Sequence, residues 1–127
     1  MTFVLDENLS PRLARGMREF GEDVAHILDH FSEATGDEMW LPYVGDNHLT
    51  LITRDLKIRW RPAELRALRE HEVGAFFLGG KNRSRCDLIQ QLIRNWPRIK
   101  GYAESEHRPF ALRVPPRGTK FTRIELG

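Results

Sequence analysis

Two acidic residues each follow an apolar, strand-like run of this chain. Asp6 comes directly after residues 3–5, and Asp55 comes just after residues 49–53. If both runs are parallel strands of one sheet, both carboxylates emerge at the same edge, where open α/β sheets bind their ligands. A few carboxylates that leave room for water and a substrate phosphate are the ligands that Mg²⁺ or Mn²⁺ prefers. The two residues therefore predict a metal-dependent acidic site.

Five further acids are able to reach that edge, and each also has a purely structural interpretation. They are Glu7, Asp37, Glu38, Asp46 and Glu64. Asp37 and Glu38 stand where a helix dipole favours acids, and Asp46 belongs to a Gly-Asp-Asn turn signal. Asp6 has the alternative of marking a turn, and Asp55 that of pairing with Arg54. The joint pattern of these acids is more informative than any one of them.

Basic residues are concentrated in short runs, although the net charge is only +2. Arg54, Lys57, Arg59 and Arg61 surround Asp55, and Trp60 lies between the last two. Further runs occupy positions 81–85 and 113–123. Solvated loops explain such runs equally well. Beside an acidic edge, however, they favour contact with a phosphate backbone, and Trp60 is placed to stack on an unpaired base.

The apolar periodicity predicts strands that alternate with helices. Strands are expected at residues 3–5, 24–27, 49–53 and 73–78, with two more at 110–114 and 121–126 around a turn. Helices are expected from Ser10 to Gly21, from a Thr35–Glu38 capping box through Val44, from Pro62 onward, and over 86–96, ending before Pro97. Phe20 is assigned to the buried face of the first helix. This alternation predicts an α/β fold with a parallel sheet covered on both faces.

Length and composition describe one domain over residues 1–127, with 108–127 as a candidate C-terminal β-hairpin extension. No run approaches the ~20 apolar residues of a membrane helix, and no export signal is recognisable. A single cysteine, Cys86, fits a reducing cytoplasm. His26 and His30 are four residues apart but fall at a strand end and in a loop, which argues against a zinc site.

The chain resembles the PIN-like domains, in particular the small VapC-type subgroup. The resemblance rests on residues 5–11 (LDENLSP), 36–38 (GDE) and 53–55 (TRD), with 58–59 and 61–64 in addition. It extends from residue 3 to about residue 95. It implies a three-layer α/β/α sandwich with a central, mostly parallel sheet. It also implies a metal-dependent ribonuclease of toxin–antitoxin type.

The site residues that the resemblance implies are Asp6, Asp37 and Asp55, which would bind Mg²⁺ or Mn²⁺ and activate water. Further candidate ligands are Glu7, Glu38, which could substitute for Asp37, and Glu64. The expected RNA-binding residues are Arg54, Lys57, Arg59, Trp60 and Arg61. The implied partners are an RNA substrate and a small cognate antitoxin, with a homodimer as a further expectation.

One departure from the family pattern leaves two alternatives open. Many relatives carry a further acid two residues after the Thr-Arg-Asp motif, where this chain has Lys57. A catalytically inactive PIN-like module that binds RNA or protein is therefore the first alternative. The second is a phosphoacceptor receiver domain, which also places acids after its first and third strands. Receivers usually have a proline-containing loop after the phosphorylated Asp, and here Asp55 leads into a basic run.

Overall fold

The computed structural model describes residues 2–33, 35–54 and 61–126, with Asp37 described by its backbone alone. Strands and helices alternate along most of this length. The strands are β1 (Phe3–Leu5), β2 (Val24–His26), β3 (Thr50–Thr53), β4 (Gly74–Leu78), β5 (Phe110–Val114) and β6 (Thr122–Arg123). The helices are α1 (Pro11–Glu19), α2 (Asp37–Asp46), α3 (Pro62–Glu70) and α4 (Arg85–Ser105), with a 3₁₀ turn at Ile27–Asp29.

The strands form one mixed, mostly parallel sheet in the order β2-β1-β3-β4-β5-β6. The first five are parallel, and β6 runs antiparallel to β5. The carboxyl ends of β1, β3, β4 and β5 therefore meet at one edge of the sheet, which we call the carboxyl edge. This arrangement confirms the predicted α/β sandwich. That residues 1–127 form a single domain stays a prediction.

The two faces of the sheet are covered by different helices, because side chains alternate along each strand. Leu5, Ile52 and Phe76 pack with residues of α1 and α4 in one apolar cluster. Val4, Leu51 and Phe77 pack with residues of α2 and α3 in the other. Burial of each such side chain contributes about 1.5–3 kcal/mol. The two helix layers hold the sheet from both faces and so fix the position of its carboxyl edge.

Helix α1 begins as its sequence predicts. The Ser10 side chain accepts a hydrogen bond from Arg12 N at 3.2 Å, and Pro11 occupies the first helical position. The expectation that Phe20 faces the core is wrong, because its side chain is 90% exposed. Phe20 is the C-cap residue, so it lies beyond the last buried turn, which Met17 closes.

Helix α4 continues past the point where its sequence predicts an end. Pro97 lies inside the helix, which extends to Ser105. Proline removes one backbone hydrogen bond from a helix interior. The buried residues Trp96, Ile99 and Ala103 continue the apolar face on both sides of it. Burial of that face against the sheet outweighs the local cost of Pro97.

Helix α2 begins differently from the prediction. Gly36 is its N-cap and no side chain caps it, so the expected Thr35–Glu38 capping box is wrong. At the other end of the helix, a Cβ added to Gly45 would lie 2.1 Å from the carbonyl oxygen of His71, just after α3. The two helices are therefore as close at that point as a glycine allows.

One buried side chain of α4 joins the carboxyl ends of β4 and β5. The Gln91 amide nitrogen donates to the carbonyls of Gly79, Val114 and Pro115 at 3.0, 3.2 and 3.1 Å. Gly79 N also donates to Val114 O at 2.9 Å. These bonds fix the two strand ends against each other.

No helix in the described part of the chain is long and apolar enough to cross a membrane.

Candidate active site

Asp6 lies at the carboxyl end of β1 and is almost completely buried, with 1% of its surface exposed. Its backbone N–H donates to Ile52 O at 3.2 Å, which ties it to β3. Its Oδ1 accepts from Asn8 N at 3.1 Å, and its Oδ2 lies 3.4 Å from the Asn8 side-chain nitrogen. A buried carboxylate needs such donors, since desolvation without them is costly.

Thr53 supplies a side-chain contact between the two strands at this site. It is the last residue of β3, is fully buried, and donates its hydroxyl hydrogen to Asp6 Oδ2. The β1–β3 register explains this contact, because Leu5 pairs with Ile52 and the next two residues are therefore neighbours. From the sequence alone, Thr53 was identified only as part of the Thr-Arg-Asp motif. Its signal was a hydroxyl at the end of an otherwise apolar run.

His26 holds the loop that follows Asp6. It ends β2, opposite Leu5, and its Nε2 lies 2.7 Å from Leu9 O. Its Nδ1 accepts from Leu28 N at 3.1 Å, so Nε2 carries the ring hydrogen and donates to Leu9. Both ring nitrogens are thus engaged with the backbone. His26 is a positioning residue for the Asp6 loop and has no ring nitrogen left for a metal.

The other predicted acids are described to different extents. Asp55 lies outside the described residues, and Asp37 begins α2 without a described side chain. Glu7 and Glu38 are exposed, whereas Glu64 is buried in the first turn of α3. Among the side chains that the structure describes, no three His, Cys, Asp or Glu residues form a group able to hold a metal. Asp6 is the described member of the predicted triad, and its oxygen donors suit Mg²⁺ or Mn²⁺.

Of the predicted RNA-binding residues, the structure describes Arg54 and Arg61. Arg54 is exposed directly after Thr53, and Arg61 is exposed with Nη1 3.6 Å from Glu64 Oε1. Lys57, Arg59 and Trp60 lie outside the described residues. Exposed cations are therefore present on both sides of the segment that contains Asp55.

An open groove of about 790 Å³ begins beside the Asp6 loop and runs between α1 and the first half of α4. Its apolar lining includes Phe20, Ile89 and Ile93, of which 90%, 43% and 50% are exposed. Arg12, Arg54 and Arg85 are also among its lining residues. The groove thus combines accessible apolar surface with positive charge next to the site.

Comparison with protein families matches residues 1–80 to the PIN like domain. The chain belongs to the PIN-like domain family. The match contains β1 to β4 and every acid proposed for the site, and it ends before α4, β5 and β6. The strand order around β1 and β3 is shared by other doubly wound folds, receiver domains included, so the family match favours the PIN-like interpretation. No curated protein and no solved structure shows significant similarity to the chain.

Proposed function

We propose that this PIN-like domain is a metal-dependent endoribonuclease, the VapC-type toxin of a toxin–antitoxin pair, acting on RNA phosphodiesters in the cytoplasm. The observation that carries the proposal is the buried Asp6 carboxylate at the carboxyl edge, oriented by Thr53 and Asn8. A carboxylate with so little exposed surface is costly to keep without a role. Asp6 contacts Thr53, which ends β3 two residues before Asp55 in the sequence.

In this proposal Asp6, Asp37 and Asp55 bind Mg²⁺ or Mn²⁺, which polarises the phosphodiester and lowers the pKa of bound water. Thr53 fixes the orientation of the Asp6 carboxylate through its hydroxyl. Glu64 is a candidate for the acid that Lys57 replaces, because its burial at the start of α3 resembles the burial of Asp6. Glu7 and Glu38 remain further candidate ligands.

The substrate is proposed to be RNA held by its backbone. Arg54 is exposed next to Thr53, and Arg61 is exposed at the start of α3. With Lys57 and Arg59 they would neutralise phosphates, and Trp60 would stack on an unpaired base. No serine, cysteine or histidine nucleophile is required by this chemistry.

Cleavage of a labelled single-stranded RNA, with and without Mn²⁺, tests the proposal. We expect metal-dependent cleavage that Asp6→Asn and Asp55→Asn each reduce by more than about 100-fold, since even residues behind metal ligands are worth 10–100-fold. Asp46→Asn is the matched control, because Asp46 is an exposed acid paired with His71 at 3.0 Å. Cleavage that survives both of the first two substitutions would rule out this site.

Two other results would establish the alternatives instead. RNA binding that persists in excess chelator and in Asp6→Ala, without any cleavage, would identify an inactive binding module. A phosphate adduct on Asp55 after incubation with a small phosphodonor, detected by mass measurement, would identify a receiver domain. Each of these results contradicts the nuclease proposal.

We also propose that the α1–α4 groove binds the small antitoxin through an acidic amphipathic helix. The exposed apolar side chains of the groove suit the apolar face of a helix, and its arginines suit acids on the flanks of that face. Because the groove begins at Glu7 and Asn8, a bound helix would lie against the Asp6 loop. Occupation of the groove would therefore inhibit the nuclease directly.

Co-expression with the protein encoded by the neighbouring short reading frame tests this partner. We expect a stable complex that Ile89→Glu and Ile93→Glu both abolish, while the control Arg98→Glu, at an exposed position farther along α4, leaves it intact. A homodimer that the same two substitutions dissociate would assign the groove to a second copy of the chain. That outcome would overturn the antitoxin assignment and leave the nuclease proposal standing.

A further inference from the structure

Arg113 of β5 lies in the same transverse row of the sheet as Asp6. The strand registers pair Leu5 with Ile52, Thr53 with Phe77, and Phe77 with Arg113. The residues two positions before this row on each strand pack in the apolar cluster under α2 and α3: Val4, Leu51, Ala75 and Ala111. Phe77, which belongs to the row itself, packs in the same cluster. Because side chains alternate with a period of two, Arg113 emerges on the same face of the sheet as Asp6 and Thr53.

The Arg113 side chain reaches over the end of the neighbouring strand, in the direction of Asp6. A Cβ added to Gly79 would lie 2.6 Å from the guanidinium carbon of Arg113 and 2.7 Å from its Nε and Nη2. The guanidinium therefore occupies the space that any side chain at position 79 would need. Gly79 follows β4, which lies between β5 and β3. With strands about 4.8 Å apart, the end of β4 is roughly 10 Å from β1.

The guanidinium has donors available in this position. Arg113 is only partly exposed, and within residues 2–33, 35–54 and 61–126 its guanidinium makes no hydrogen bond or ion pair. A half-buried cation without a partner is an unusual arrangement, because loss of hydration is then uncompensated. Its planar fork of donors matches a phosphate better than a point charge does.

The surroundings of Arg113 are rigid and positively charged. The Gln91 side chain donates to the carbonyls of Gly79 and Val114, which are the contact residue of Arg113 and its neighbour in β5. These bonds fix the backbone around Arg113. The segments 79–85 and 113–120 contain six cationic residues and no acidic one. They are brought together where Arg83 Nη2 donates to Pro116 O at 3.4 Å. Such a surface attracts a polyanion.

We propose that Arg113 binds a phosphate of the RNA next to the one that is cleaved, on the part of the chain that the family match does not include. This inference rests on the proposed ribonuclease function and assigns that site a second contact with its substrate. RNA is favoured over an acidic peptide because the guanidinium shares a row with Asp6. An RNA strand lying along the carboxyl edge would meet both groups.

Binding of a fluorescein-labelled single-stranded RNA in excess chelator, titrated at several salt concentrations, tests the assignment. We expect Arg113→Ala to weaken binding about tenfold and to reduce the salt slope by about 0.7, as for one lost phosphate contact. Gly79→Ala should have a similar effect, because its methyl group displaces the guanidinium. The double variant should bind no more weakly than Arg113→Ala alone.

Arg98→Ala is the matched control and should bind normally. Arg98 is exposed on α4, about 20 Å along the helix from its start at the carboxyl edge. Unchanged binding in Arg113→Ala, with cleavage by the wild type intact, would overturn this inference alone. Wild-type protein that neither cleaves nor binds RNA would overturn the proposed function and this inference together. Equally strong, Arg113-dependent binding of polyglutamate would assign the residue to an acidic protein and overturn the RNA assignment.

Discussion

Thr53 and Thr50 show how position on a strand decides what one side chain does. Both are fully buried residues of β3, three apart, so their side chains lie on opposite faces of the sheet. Thr53, at the carboxyl edge, donates to the Asp6 carboxylate. Thr50, at the opposite end, accepts from the Arg108 guanidinium at 2.7 Å. The first hydroxyl therefore belongs to the candidate site and the second to the support of the fold.

Replacing Thr53 with valine should impair cleavage without unfolding the protein. Valine keeps the shape of the side chain but removes the donor that orients Asp6, so we expect RNA cleavage to fall about 10–100-fold. Thr50→Val is the matched control: it should lower stability by about 1 kcal/mol and leave the cleavage rate unchanged. Rates with Mn²⁺ and urea unfolding of both variants provide the measurement. Equal cleavage by Thr53→Val and wild type would contradict a positioning role for the hydroxyl.

At this scale the sequence predicts which residues end the strands but not the contacts that they make. Asp6 was identified because an acid follows an apolar run. Thr53 and His26 were not, because their roles depend on the register of β1 with β3 and β2. Arg113 was visible only as one cation in a basic tail. Its relation to Gly79 exists only once β4 and β5 pair, since Gly79 and Arg113 are 34 positions apart in the sequence.

Among the elements, α4 is longer than its sequence predicts. The sequence predicts an end before Pro97 because proline disfavours helix interiors. In the structure, Trp96 and Ile99 lie buried on either side of Pro97, and the helix continues to Ser105. Local propensity was overridden by a long apolar face whose burial depends on the sheet beneath it. The starts of α1 and α3 were predictable, because Pro11 and Pro62 fix them locally.

Gln91→Leu should destabilise the protein through the ends of β4 and β5. Leucine is similar in size, but the carbonyls of Gly79, Val114 and Pro115 all lose the same donor. We expect the free energy of unfolding to fall by about 2 kcal/mol. The adjacent Gln90→Leu, at an exposed position, should change it by less than about 0.5 kcal/mol. Urea unfolding followed by circular dichroism compares them, and equal stability of the two variants would contradict the clamp.

In the molecule as a whole, the core extends beyond the family match. The match ends at residue 80, yet α4 contributes Leu88, Leu92 and Ile99 to the apolar cluster under β1 and β3. A link on the surface joins the same two parts of the chain. Glu22, before β2, accepts from Trp96 Nε1 at 2.7 Å and from Lys100 Nζ at 2.8 Å. The part of the chain outside the match is thus fixed to the part inside it.

This link predicts how stability depends on acidity. The hydrogen bond from Lys100, and then that from Trp96, lower the pKa of Glu22 below its usual value of 4.5. The folded state therefore favours the ionised carboxylate. The contribution is present in full well above pH 4.5 and is lost as the pH falls through the lowered pKa, because the unfolded state then binds more protons.

We therefore expect Glu22→Gln to lose less stability than the wild type between pH 6 and pH 3. Unfolding in urea at a series of pH values measures this difference. Glu104→Gln, an exposed residue of α4, is the control and should follow the wild-type profile. Parallel acid profiles for Glu22→Gln and the wild type would show that the link does not contribute.

The close approach of α2 to His71 at Gly45 suggests a temperature-sensitive variant. The obstacle to a larger residue there is a backbone carbonyl at His71, which no change of rotamer can move aside. An alanine would therefore push the far ends of α2 and α3 apart while leaving every acid and cation of the carboxyl edge chemically intact. Overpacking of this kind costs about 1–3 kcal/mol. A Gly45→Ala allele would then behave as heat-sensitive, with a folded protein in the cold and an unfolded one at a restrictive temperature.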